Sequence, residues 1–196
     1  MQSLSYFRKL DTVKSYGIEI ECVHDQSIQK YRYHGFFYAT EDGSLNYGAY
    51  SYTTEFVSQP LPVEWLCKEI TRLEKRVGEW YANSSCGIHI HVNKKWCTNK
   101  KARAILAFVN TLSFNDCDDL FGRWPNMYCR QETKGRYCMV NMTNEKTIEF
   151  RMFASGGAKW ARYCVCMADY MVKNAFNLNI DAIYAASDMF KAQEGV

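Results

Sequence analysis

The chain has 196 residues, 47% hydrophobic and 23% charged, with a net charge of +3. That composition suits one globular domain with its own core, and no apolar run approaches the ~20 residues of a membrane span; the weak charge argues neither for nor against a nucleic-acid partner. Nine cysteines without a repeated spacing do not make a disulfide framework, and residues 1–17 carry no apolar secretory stretch, so reduced, buried thiols in a cytoplasmic protein are expected.

In chain order, strands are expected near residues 15–23, 34–40 and 52–58, the last two separated by the turn sequence EDGSLNYGAY with Asp42-Gly43 as its punctuation. A helix begins after Pro62 and runs over 63–81, with Trp65, Leu66, Ile70, Leu73, Val77 and Trp80 at helical spacing. A strand at 87–93 follows, then a helix over 97–114 capped by Thr98 or Asn99. Strands at 136–142 and 146–153 precede two helices, 158–176 and 181–192. Trp65, Trp80, Phe108 and Phe114 are expected in the core, and His24 and His34 as ordinary strand or loop histidines. Without a regular strand–helix alternation, linker or repeat, residues 1–196 read as one α+β domain: a mainly antiparallel sheet with helices on one face.

The other face is unusual. Side chains alternate along a strand, so GIEIE (17–21) puts Glu19 and Glu21 on one side and Ile18 and Ile20 on the other. CGIHIHV (86–92) does the same with His89 and His91, and TIEFRMF (147–153) with Glu149 and Arg151. Glu55 in TTEFVS (53–58) is a weaker case. One such strand is explained by a solvated sheet face; the set is not, because solvated faces favour Lys, Ser, Thr and mixed charges. Two carboxylates ~4 Å apart repel by about 4 kcal/mol at an effective dielectric of 20. A divalent cation removes that cost, glutamate and histidine are suitable ligands for it, and an arginine beside them suits an anion such as phosphate.

GIEIE, DGSL (42–45), TEFVSQP (54–60), CGIHIHV, RYCMVNM (136–142) and TIEFRMF, in that order, resemble the amidoligases, carboxylate–amine ligases of the glutamine synthetase-like fold. The resemblance covers about residues 15–155 and leaves the helices of 157–192 outside it. It implies a curved antiparallel sheet whose concave face holds metals and nucleotide and whose convex face carries the helices. It further implies Mg²⁺ (or Mn²⁺) ligands at Glu19, Glu21, Glu55, His89 and Glu149. Nucleotide phosphate contacts fall to Arg151, Arg136 and His91, with Ser44 and Asp42 in the loop that shapes the substrate pocket and Asp42 as candidate proton acceptor. Gln59 stands where the family reads Ser-Pro directly. The chain is short for the family, so an assembly in which another subunit completes the pocket is a further expectation.

The implied reaction uses ATP to join a small-molecule or peptide carboxylate to an amine. The carboxylate takes the γ-phosphoryl group to give an acyl phosphate, Arg151 and Arg136 stabilise the charge in flight, and the amine, deprotonated by a nearby carboxylate, displaces phosphate. Two other readings stand beside it. His-x-His on a strand also marks single-stranded DNA endonucleases with a tyrosine nucleophile, for which Tyr163 and Tyr170 are candidates, although such enzymes have no use for Glu19, Glu21, Glu149 or Arg151; nucleic acid is therefore not the expected partner. The third reading is a binding module on the same scaffold. A zinc site from Cys22 and Cys86 lacks a Cys-x₂-Cys pair and is not expected.

Overall fold

The computed structural model describes residues 13–25, 27–46, 48–50, 52–132 and 135–196. The secretory-signal reading of residues 1–17 therefore falls largely outside the described residues. The strands are β1 (Tyr16–His24), β2 (Arg32–His34), β3 (Phe37–Thr40), β4 (Tyr52–Ser58), β5 (Gly87–Asn93), β6 (Val140–Asn141) and β7 (Thr147–Ala154). They form one sheet in the order β2-β3-β4-β1-β5-β7-β6, and every neighbouring pair is antiparallel. The described helices are α1 (Val63–Val77), α2 (Asn99–Val109), α3 (Phe114–Phe121), α4 (Ala158–Lys173) and α5 (Ile180–Glu194). The chain is α+β, as its pattern predicts, and no described helix is long and apolar enough to cross a membrane.

Alternation builds the sheet's buried side. Ile18, Ile20, Ile88, Ile90, Ile148 and Phe150 join Leu66, Ile70 and Leu73 of α1 and much of α4 in one apolar cluster. Helix α4 lies at its centre, with ten buried residues around its circumference. Its one buried acid, Asp169, is paired with Lys14 and Lys173 and accepts a hydrogen bond from the Tyr16 hydroxyl at 2.9 Å, which ties α4 to β1. Those partners outweigh the cost of burial and hold its carboxyl below the usual aspartate range. All nine cysteines are free, seven of them buried.

Five details depart from the sequence reading. The strand expected over 34–40 is a hairpin, β2–β3, turning at Gly35, whose φ of 74° suits glycine. Helix α1 stops at Val77 because Gly78 takes φ 83°, so Trp80 reaches the core by the returning chain and donates its indole N–H to the Gly156 carbonyl. Trp65 and Phe114, expected in the core, are exposed (45% and 64%). The helix expected over 97–114 is two: α2 capped by Thr98, then α3, begun by a capping box in which Ser113 and Asp116 satisfy each other's backbone N–H groups. The expected strand 136–142 shrinks to Val140–Asn141; before it, the Tyr137 carbonyl and the Met139 amide bond to the backbone of Arg130 instead.

Candidate functional site

Strand register brings the polar residues of distant segments side by side. Glu21 lies opposite Glu55 across β1–β4, Glu19 opposite His89 across β1–β5, His91 opposite Glu149 across β5–β7, and Glu149 opposite Asn141 across β7–β6. Directly opposed side chains on one face are close enough to interact, so alternation within each strand and register between strands suffice to assemble the site. A β-bulge helps: Ile88 pairs with Phe153 but Ile90 with Phe150, so β7 holds one extra residue. Arg151 keeps the cavity side while Met152 and Phe153 both turn into the core.

The result is a cavity of about 530 Å³ on the sheet face away from the apolar cluster. All ten residues that the amidoligase resemblance singles out line it: Glu19, Glu21, Asp42, Ser44, Glu55, His89, His91, Arg136, Glu149 and Arg151. The ligand-bearing atoms gather into two groups, each within 4.8 Å: Glu19, His91 and Glu149, and Glu21, Asp42 and Glu55. His89 stands between them, Nδ1 3.1 Å from Glu19 and 3.6 Å from Glu149, Nε2 3.8 Å from Glu21. Asp42, expected at the substrate, is thus beside the second carboxylate pair, and it also accepts the Ser44 amide at 2.8 Å, which shapes its loop. His91, expected at phosphate, is beside Glu19 and Glu149.

Electrostatics match this crowding. Burial drives the Glu55 carboxyl up to about 8, and the charges of Glu19, Glu21 and Asp42 add to the push. Burial also raises Glu21, against the pull of His89 and the Gly87 amide, which donates to Glu21 at 2.6 Å. Burial alone would raise Glu19 too, but the approach of His89 and His91 outweighs it and holds Glu19 well below the carboxylate range. Burial disfavours a charged His91, yet Glu19 and Glu149 overcome that and raise it. His91 Nε2 lies 3.1 Å from Glu19 at an angle that makes no aligned hydrogen bond, and it has no other such partner among the described residues. Their attraction is one of charge.

Two arginines also line the cavity. Arg151 pairs with Glu149 and lies 5.7 Å from the Tyr137 ring; Arg136 reaches the same ring at 5.8 Å from the exposed rim. Sequence reasoning missed Asn141, which orients Glu149 through a 2.7 Å hydrogen bond, and the rim tyrosines Tyr128 and Tyr137. It also missed Arg123, which follows the unforeseen helix α3. Asn141 was readable as a polar position in VNM; nothing in the sequence marks the rest. Tyr163 is buried in the apolar cluster and donates to the Leu120 carbonyl at 2.8 Å; Tyr170 donates to the Ala182 carbonyl at 3.2 Å. Neither lines the cavity. No cysteine belongs to a ligand-bearing group among the described residues. Comparisons of the sequence with protein-family models and with curated proteins return no match.

Proposed function

We propose that the chain is an ATP-dependent carboxylate–amine ligase of the glutamine synthetase-like fold, using two divalent cations held on a curved sheet. The observation that carries the reading is the pair of three-ligand groups side by side, bridged by His89, on the floor of one cavity with arginines at its edge. The donor set fits Mg²⁺ or Mn²⁺, being carboxylate oxygen with one imidazole. The raised Glu55 carboxyl fits as well: a proton there relieves the like charges of its neighbours in part, and a cation would relieve them fully. The volume lies in the usual range for a small-molecule site.

In this reading Glu19, His91 and Glu149 hold one cation and Glu21, Asp42 and Glu55 the other. His89 fixes the carboxylates of both groups. When bound, the cations would neutralise nucleotide phosphate oxygens and align them for in-line attack. Arg151, drawn toward Glu149 in the structure, and Arg136 at the rim stabilise charge on the phosphoryl group as it moves from ATP to the substrate carboxylate, with release of ADP. The neutral amine nitrogen then bonds to the activated carbonyl carbon, the bond from that carbon to the phosphate oxygen breaks, and inorganic phosphate leaves with the proton the amine gives up. Asn141 keeps Glu149 in place through its amide.

The test is phosphate release from ATP and Mg²⁺ across a panel of acids and amines, with Glu19→Gln, Glu21→Gln and Glu149→Gln in parallel. Release that needs both an acid and an amine and drops at least a hundredfold in each variant supports the ligase. Release that survives all three changes removes the ligand assignment, and saturable ATP binding without turnover makes the chain a nucleotide-binding module instead.

A further inference from the structure

Arg123 has no role so far, and its surroundings point to one. Gly122 ends α3 with φ 71°, and a Cβ there would come within 2.9 Å of the Trp160 ring; the chain turns tightly and delivers Arg123 beneath the start of β5. Gly87 tells where the guanidinium lies. A Cβ on Gly87 would sit 2.8 Å from Arg123 Nη1, 3.2 Å from His89 Nε2 and 3.3 Å from Glu21 Oε2. Since Gly87 is not among the residues with positive φ, its missing side chain answers to space rather than to backbone conformation, and three functional groups share that space.

Arg123 is half-buried yet poorly partnered. Among the described residues its one hydrogen bond is a long one, 3.4 Å from Nη1 to the Phe153 carbonyl, and no carboxylate there is close enough for an ion pair, in contrast to Arg151. A guanidinium offers five N–H donors, and taking it partly out of water costs free energy unless an anion answers it. Arg123 and Arg151 both line a small cavity of about 30 Å³, together with Glu21, Ser44, Ser85, His89 and Tyr128. That is the share of one water in the liquid. It admits a single oxygen of a larger group, and it adjoins the main cavity, with which it has Glu21, Ser44, His89, Tyr128 and Arg151 in common.

We infer that Arg123 and Arg151 frame an oxyanion subsite that takes one terminal oxygen of a carboxylate or phosphoryl group whose remainder lies in the main cavity. Ser44 supplies a hydroxyl donor, the Ser85 hydroxyl being donated to Asn83 at 2.6 Å, and Glu21 is kept from opposing the anion fully because the Gly87 amide engages it. Attributing that oxygen to the acid substrate or to the phosphoryl group in transfer rests on the ligase reading; the binding of an oxyanion does not.

Binding of inorganic phosphate, and separately of acetate, to the full chain free of metal and nucleotide tests this by calorimetry at fixed ionic strength. We expect saturable binding of phosphate, acetate or both, weakened about tenfold to a hundredfold by Arg123→Gln, the worth of a hydrogen bond to a charged group. Gly87→Ala should weaken it as well. Arg130→Gln, an exposed arginine paired with Glu132, should leave it unchanged, and circular dichroism checks that each variant is folded. Phosphate alone identifies a phosphoryl subsite; comparable acetate binding identifies a carboxylate subsite. Absence of binding to the unaltered chain, binding undiminished in folded Arg123→Gln, or an equal loss in Arg130→Gln would overturn the proposal. Phosphate binding without ATP turnover leaves the subsite standing while removing the ligase; turnover with no loss in Arg123→Gln binding removes the subsite alone.

Discussion

Replacing Glu55 with glutamine should stabilise the metal-free protein at pH 8 and flatten its response to pH. The folded carboxyl keeps its proton up to about 8, whereas in the unfolded chain it loses it near 4.5. Between those values the folded state binds the extra proton, so unfolding free energy falls as pH rises. Glu21 and His91, also raised, act in the same direction, and Glu19, held low, is already ionised in both states across this window. At about 1.4 kcal/mol per tenfold in the ionisation constant the full effect at Glu55 is about 5 kcal/mol. The side chain is partly exposed, and solvent screening reduces this to about 2 kcal/mol. For a chain of this length that is about 4–8 °C in Tm. Thermal unfolding in a chelator from pH 5 to 9 reads it directly: the unaltered chain should lose stability toward pH 8, and Glu55→Gln, which keeps only the contributions of Glu21 and His91, should fall less steeply and be the more stable at pH 8. Added Mg²⁺ or Mn²⁺ should restore the unaltered chain and do much less for the variant. A flat profile for the unaltered chain, or a Glu55→Gln variant that is less stable at pH 8, would mean that the folded chain does not hold a proton on Glu55 at a cost to stability.

Other expectations concern the framework. Asp169→Asn removes a buried charge that holds two lysines and a tyrosine; it should cost about 2–3 kcal/mol at pH 7. Since the carboxyl is held below 3.8, its contribution is present above that pH and disappears as pH falls through the lowered value, so denaturant titrations should show the variant's deficit vanish in acid. Ser113→Ala breaks the capping box of α3 and should cost about 1 kcal/mol, measured by urea unfolding. Tyr163→Phe should cost about 1 kcal/mol through the lost bonds to Leu120 and Ser187 and leave ATP turnover unchanged, whereas a tyrosine-nucleophile mechanism requires loss of DNA nicking.

Much of the site was legible because a strand's period of two writes a polar face into the chain: Glu19 and Glu21, His89 and His91, Glu149 and Arg151 need no tertiary knowledge to be placed on one side. What was not legible is the pairing. The assembly of Glu19 with His89, 70 residues apart, depends on β1 lying between β4 and β5, which no local pattern encodes. The division into two ligand groups is a matter of register and of where the 41–50 loop carries Asp42. Arg123 escaped for a related reason. It is positioned by α3, and reading 97–114 as one helix hid the capping sequence Ser113–Asp116 that starts it. The exposed Trp65 shows the limit of periodicity too: it precedes Leu66 and so falls at the edge of the apolar stripe of α1.

Under the proposed function two cations bind, each to its own group of three ligands. Manganese titration of the full chain followed by electron paramagnetic resonance counts bound ions. Two per chain are expected, reduced to one by Glu149→Gln and to one by Glu21→Gln, the ion lost in one variant differing in affinity from the ion lost in the other. No saturable manganese binding, or a count unchanged by both substitutions, would contradict it.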